Sequence, residues 1–295
     1  MGIVQLRLGI VSKTATYWPY YVGLREGLFQ RAGLTLDIEL LGSTSAGVPA
    51  LIEERVDVAA TCPDVLIGEA LASARLRIAG GLIDCPMSSL IVRPEVRAFE
   101  DLRGRRVAVT EIRGSVSVFL RALLRRKGLA VGDYEQVVCH TTPAQVAALE
   151  EGSIEAAMLT HPFESRLLAL GFGRLARVGD ELGSGSFTTL NVRQGWTARP
   201  EWAALKKALR AVDGVLRDPR RKDDVLAALS EWSSVSEAEL DEAYHIYAGS
   251  TKVLSPAGEL DLSGLEHLLA WMAEDGIEVR PEQARDFLDD HAALR

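Results

Sequence analysis

The sequence predicts an α/β protein of two similar lobes that face each other across a cleft, and three observations point to it. First, two stretches nearly copy one another: Ala46 to Ala60, running into Thr61-Cys62-Pro63, and Ala144 to Ala157, running into Thr160-His161-Pro162. Second, each copy follows a matched pair of features, a helix ending at Gly33-Leu34 or Gly128-Leu129 and then a β-rich segment. Third, strands alternate with helices of 8 to 14 residues or so, the spacing of parallel βαβ units with right-handed crossovers. Two such lobes enclose a cleft, and clefts bind small molecules.

The first lobe opens with a strand over Gln5–Val11, where Val4, Leu6, Leu8 and Ile10 alternate with Gln5, Arg7 and Gly9. A helix from about Pro19 to Ala32 follows, with Gly33 in the position of a left-handed C-cap. Next come strand Thr35–Leu41, helix Ala46–Glu54, strand Val56–Thr61, helix Asp64–Ala74 and strand Leu76–Leu82, before Leu90-Ile91-Val92 leads out of the lobe. The second lobe repeats the scheme. It has strand Val107–Thr110, helix Val116–Lys127, strand Tyr134–Cys139, helix Pro143–Glu151, strand Glu155–Leu159 and helix Pro162–Leu170. After the breaker cluster Gly183–Gly185, Thr189–Val192 reads as a strand returning to the first lobe. The rest, Glu201–Arg217, Lys222–Ser230, Glu237–Tyr247, Leu262–Asp275 and Pro281–His291, has apolar residues at three- and four-residue spacing and reads as packing helices. The expected division is therefore residues 1–88 with 190–295 as lobe 1 and its helical tail, and 89–189 as lobe 2, with a hinge of two crossings.

Composition narrows the function. With 295 residues, 47% hydrophobic and 25% charged, the chain is an ordinary globular protein of two-domain size. A formal net charge of -8 argues against a nucleic-acid partner. The basic runs Arg103 to Arg106 and Arg125-Arg126-Lys127 read as solvated faces, the second complementing a helix C-terminus before Gly128. No segment reaches the roughly 18 apolar residues that span a bilayer. Met1 to Val11 lacks the basic start and apolar core of a signal peptide. Cys62, Cys85 and Cys139 have neither a disulfide nor a metal-ligand spacing, so neither a metal nor a cofactor is expected.

Pro19-Tyr20-Tyr21-Val22-Gly23-Leu24 with Gly27-Leu28-Phe29 and Gly33-Leu34 resembles the opening of NMT1/THI5-like solute-binding proteins. Asp101-Leu102-Arg103-Gly104-Arg105-Arg106-Val107-Ala108-Val109, Gly114-Ser115 and Ala148-Leu149-Glu150-Glu151-Gly152 are similar to later motifs of the same group. The resemblance covers roughly residues 3 to 192. It implies a type II periplasmic-binding-protein fold, two Rossmann-like lobes on a two-crossing hinge with a helical C-terminal tail. It also implies a receptor of an ABC importer, like those for sulfonates, taurine, nitrate and thiamine-precursor pyrimidines. A periplasmic location follows from it, the export signal being absent from this sequence; a native Met1 would instead mean the cytoplasm.

In such lobes ligands sit outside the C-terminal ends of the strands. Five loops meet that description. In Ser12 to Trp18, Thr14 can hydrogen-bond a ligand, and Tyr17 or Trp18 either stacks on a flat one or packs around the first helix. Ser43, Thr44 and Ser45 form a helix-capping sequence whose free N–H groups suit an oxyanion. Across the cleft Gly114 and Ser115 are the counterpart, with Arg113 able to add a charge-assisted fork or to reach solvent. Thr61-Cys62-Pro63-Asp64 and Thr160-His161-Pro162-Phe163 occupy equivalent places, which makes Cys62 and His161 candidates and Asp64 a helix N-cap. Asn191, with Phe187 and Thr188, lines the return segment. The expected function is a monomeric, non-catalytic receptor. It would close on a small organic solute, a carboxylate, sulfonate or pyrimidine, and present it to a membrane permease. The alternative is a cytoplasmic enzyme on the same fold, a lyase, decarboxylase or desulfinase-like protein using Cys62 and His161. Against it, the family's synthase cysteine motif is missing, and the loop after the first strand carries no cysteine.

Overall fold

The computed structural model describes residues 3–73, 75–112, 114–160, 163–233, 237–248 and 253–295. The first lobe builds β1 (Val4–Ile10), α1 (Trp18–Arg25), α2 (Leu28–Arg31), β2 (Leu34–Leu40), α3 (Gly47–Ile52), β3 (Val58–Thr61), α4 (Pro63–Ser73) and β4 (Leu76–Ile83). The second builds β5 (Ser89–Val92), β6 (Arg106–Val109), α5 (Ser115–Arg126), β7 (Glu135–Val138), α6 (Thr142–Glu151), β8 (Ala156–Leu159), α7 (Phe163–Ala169), β9 (Gly173–Arg177) and α8 (Val178–Leu182). The chain then returns through β10 (Thr188–Arg193) to the tail helices α9 (Pro200–Leu216), α10 (Lys222–Trp232), α11 (Glu237–Ala243) and α12 (Leu262–Glu274).

The strands form two five-stranded sheets of the same order, β2-β1-β3-β10-β4 and β7-β6-β8-β5-β9. Three strands of each sheet are parallel. The fourth, β10 or β5, is the strand that arrives from the other lobe, and it runs antiparallel to its neighbours. The sheets are therefore mixed, because a strand entering from the far lobe comes from the cleft end.

The repeat extends to side chains. Arg7 on β1 grips Asp57, just before β3, through its guanidinium at 2.8 Å and its backbone N–H at 3.0 Å. Arg106 grips Glu155, just before β8, in the same way at 2.9 Å for both contacts. Arg193, at the end of β10, donates to the Leu51 carbonyl at 2.8 Å, and Arg93, just past β5, donates to that of Leu149 at 2.9 Å. Each arginine fastens a sheet to the last turn of the helix beside it. Register also corrects one expected equivalence. Thr61 pairs with Thr189 and Leu159 with Ser89, so Thr61 matches Leu159 and Cys62 matches Thr160.

Other expectations shift for local reasons. The long first helix breaks at Gly27, which takes φ 64° and starts a second short helix. The helix expected to reach Tyr247 leaves α geometry at Tyr244 for a wider turn, and Pro281–Phe287 is a 3₁₀ helix. Sequence reading missed β9 and α8. The tail does not stay with one lobe. Its 281–295 segment returns to the first sheet, where Leu288 bridges Ile78. By contrast α12 lies against α5 of the second lobe, with Asp275 holding Arg121 and Arg125 at 2.6 Å each.

The main apolar core runs through both lobes, from Leu6 and Leu8 to Phe119 and Trp271. A smaller core, with Ile91, Val146, Leu149, Leu159 and Leu167, fills the space between the second sheet and α6 and α7. Among the described residues no helix is long and apolar enough to cross a membrane.

Candidate ligand site between the lobes

The cleft lies where parallel strands β1, β3, β6 and β8 deliver their C-terminal ends. From the first lobe come the Ser43–Ser45 turn, Cys62 and Asp64; from the second come Glu111 and, next to Gly114, Ser115, while Thr14 lies in the loop after β1. The walls touch. The Ser115 hydroxyl, at the start of α5, donates to Asp64 Oδ1 at 2.5 Å, and both side chains are buried. Glu111 reaches back across the cleft to the Ser45 side chain and the Thr44 backbone.

This wall is electrostatically unusual. Burial pushes the Asp64 carboxyl up to about 6, although hydrogen bonding from Ser115 works against the shift. Burial raises Glu111 as well, with Ser45 and Thr44 holding it down. Two carboxyl groups that ionise reluctantly thus face the cleft. Burial, with the charge of Asp64, pushes the Cys62 thiol up to about 12. At neutral pH Cys62 is therefore a thiol and not a thiolate, the reverse of an activated nucleophile. Its sulfur accepts a long contact from the Thr44 hydroxyl at 3.9 Å.

Several candidates from the sequence are placed differently. Asp64 sits inside the first turn of α4 and is bound to the opposite lobe, so it is a cleft residue and not the helix cap. The Ser43 hydroxyl does not cap α3 either: it accepts from Ala46 N at 3.3 Å in the turn before the helix, whose N-cap residue is Ala46. Trp18 is fully buried, and its indole N–H donates to the Val225 carbonyl at 2.7 Å, tying α1 to α10. The Tyr17 hydroxyl accepts from Val11 N and donates to the Ala60 carbonyl, each at 3.1 Å, which fixes the β1 and β3 ends. Asn191 is also fully buried. Its amide donates to Thr61 Oγ1 at 3.0 Å, and its carbonyl oxygen accepts from Thr189 at 2.7 Å. These three serve as scaffold directly behind the site. Phe187, in the crossing segment, packs on Phe119 with ring centres 5.9 Å apart. Arg113 and His161 lie outside the described residues.

Glu111 was missed by sequence reasoning, although it opens the Glu111 to Ser115 loop already chosen for its glycine and serine. A hollow of about 390 Å³ lined by Gln5, Arg7, Asp57, Trp196, Arg199 and Glu201 lies at the opposite, N-terminal end of β1. It plays no part in the cleft.

The NMT1/THI5-like family model matches residues 14–169. No curated protein matches the chain by sequence. Among solved structures, the chain is similar to the alkanesulfonate-binding protein SsuA from Xanthomonas axonopodis pv. citri bound to MOPS. That match has 18% identity and TM-score 0.74, covering 100% of this chain and 97% of that one. The periplasmic nitrate-binding protein NrtA from Synechocystis PCC 6803 is similar at 15% identity and TM-score 0.75, with coverage of 98% and 86%. A mutant of DszB in complex with biphenyl-2-sulfinic acid is similar at 15% identity and TM-score 0.66, with coverage of 98% and 97%. These likenesses establish the two-lobed type II periplasmic-binding-protein fold with its helical C-terminal region.

Proposed function

This chain belongs to the NMT1/THI5-like family, and from that premise we propose that it is the solute-binding receptor of an ABC importer. In this reading it works in the periplasm as a monomer, captures a small organic solute between its lobes, and offers the closed form to a membrane permease. The observation that carries the reading is the meeting of the two lobes at the strand ends, Ser115 on Asp64 and Glu111 on the Ser43–Ser45 turn. A ligand that touches both walls gains contacts only in the closed form, so binding shifts the population towards closure. The protonated Cys62 thiol supports the receptor over the enzyme reading.

The same wall bears on ligand class. A carboxylate or sulfonate set against Asp64 and Glu111 is repelled while either is ionised, whereas a solute bringing hydrogen-bond donors is welcomed by both. Of the classes the sequence suggests, a pyrimidine meets this wall without repulsion.

The test is a thermal-shift screen of carboxylates, sulfonates, nitrate and aminopyrimidines, with each stabilising compound recovered and analysed after incubation. A receptor returns it unchanged, and saturation at about 100 times Kd adds roughly 2.7 kcal/mol of stability. Conversion of the compound by wild type, abolished in Cys62→Ala, overturns the receptor reading in favour of the enzyme.

A further inference from the structure

At the cleft end of the second lobe, where β5 enters and α6 and α7 begin, lies a group of buried polar atoms short of hydrogen-bond partners. Ser89 opens β5, and its hydroxyl is fully buried and unpaired. It shares a strand face with Ile91, which packs with Val146, Leu149 and Leu167 between the second sheet and α6 and α7. On that layer Gln145, in the first turn of α6, is fully buried with both its amide nitrogen and its amide oxygen unpaired. Glu164, in the first turn of α7, is fully buried, and neither carboxylate oxygen accepts a hydrogen bond. Arg177 and Arg174 stand opposite Ser89 and Ile91 on β9 and reach Glu164 only at 3.6 and 3.4 Å. The buried Nε of each is also unpaired. Tyr247 from the tail carries its phenol beside Glu164 and Arg177 and is hydrogen-bonded to Thr16 of the first lobe.

Buried polar groups in folded proteins are nearly always paired, so several orphans on one layer at the mouth of a cleft need a cause. Among the described residues, the matching strand positions of the first lobe show none. Its Thr61, Thr189 and Asn191 satisfy one another, and α4 buries Leu66 and Ile67 where α7 buries Glu164.

We infer that Ser89, Gln145 and Glu164 form a ligand subsite for a neutral, planar group that both donates and accepts hydrogen bonds, the edge of a carboxamide or urea. The orphan inventory sets this chemistry. Glu164 and the Gln145 oxygen need donors, while the Gln145 nitrogen and the two arginine Nε atoms need an acceptor. An anion supplies no donor for Glu164 or for the Gln145 oxygen. An ammonium supplies no acceptor. A primary amide supplies two donors and an acceptor in one plane. The inference deepens the receptor reading and rests on it for the cleft's role in capture.

The test uses three probes with one body, benzamide, benzoate and benzenesulfonate, on wild type, Gln145→Leu and Glu164→Gln. Wild type should gain thermal stability from benzamide and not from the two anions. Gln145→Leu should bind benzamide at least about tenfold more weakly, the loss of a hydrogen bond or more. Without ligand it should melt no lower than wild type, since removing an unpaired buried amide relieves a cost. Glu164→Gln, which preserves shape, should also weaken benzamide. A ligand-free Gln145→Leu that melts well below wild type shows that the amide already has partners, and overturns the subsite. So does stabilisation by benzoate or benzenesulfonate alone, or by none of the three. If benzamide binds unchanged and Gln145→Leu makes no difference, the subsite fails and the receptor stands. If wild type hydrolyses benzamide to benzoate and ammonia and Gln145→Leu does not bind it, the receptor fails and the subsite stands.

Discussion

The two lobes repeat one another in strand order, in the Arg7–Asp57 and Arg106–Glu155 pairs, and in the arginines that clamp Leu51 and Leu149. They differ where the strands end at the cleft. The crossing strands read Thr189-Leu190-Asn191-Val192-Arg193 in one lobe and Ser89-Leu90-Ile91-Val92-Arg93 in the other. The first lobe closes its polar groups on themselves, whereas the second places Ile91 opposite Asn191's position and leaves Ser89 without a partner. The repeated scaffold is shared where it holds the chain together and diverges at the cleft ends of the strands. One wall is hydrogen-bonded within itself, and the other keeps unpaired polar atoms.

The largest effect that sharpens this contrast belongs to Asn191→Leu. It removes the partner of the buried Thr61 hydroxyl and leaves Thr189 only its 3.4 Å contact to the Thr61 carbonyl, and should cost about 2–4 kcal/mol in urea denaturation. The matching change Ile91→Leu should cost about 1 kcal/mol or less, because it exchanges apolar groups of equal volume. Equal costs would erase the contrast.

A smaller effect is pH-dependent and comes from Asp64. Its carboxyl holds a proton to about 6 when folded and releases it near the ordinary value of 3.8 when unfolded. Between those values folding takes up a proton, so this group's contribution to stability falls as pH rises. Asp64→Asn mimics the protonated form. It should therefore match wild type near pH 4 and exceed it by about 1–3 kcal/mol above pH 7. A difference that stays constant across that range removes Asp64 as the source.

The smallest effect concerns the turn after each repeated helix. Glu54 holds φ 57° where the second lobe has Gly152 at φ 77°. A side chain is strained in this left-handed region by about 1 kcal/mol. Glu54→Gly should change thermal stability by no more than a few tenths of a kcal/mol, because relief of strain is offset by chain entropy. Gly152→Ala should lose about 1 kcal/mol, the more so because its added carbon would stand 3.1 Å from Arg93 Nη1.

Much of this was legible in the sequence. The helix–strand alternation, the doubled segment and the returning strand located both sheets and the cleft loops, and the shared family follows from the same motifs. Side-chain direction was not legible. Trp18 and Asn191 are polar-tipped residues in cleft segments, and only the fold reveals that Val225 and Thr61 occupy their polar atoms. β9 was missed because Gly173-Arg174-Leu175-Ala176-Arg177 lies between breakers and lacks an apolar stripe. Glu164 reads in sequence as an acid in a helix's first turn, a place where dipole complementarity explains it. The signal that could have led to it was the second repeat, in the crossing strands, which shows a self-pairing triad in one copy only.

The grip of Asp275 on Arg121 and Arg125 has a kinetic side. The tail is anchored on the first sheet through Leu288 and also lies along α5, so it ties the lobes together independently of the two strand crossings. In the receptor reading, opening breaks this ion pair, so Asp275→Asn should speed release of solute. Because the brace favours the closed form, its loss should weaken affinity as well as speed release.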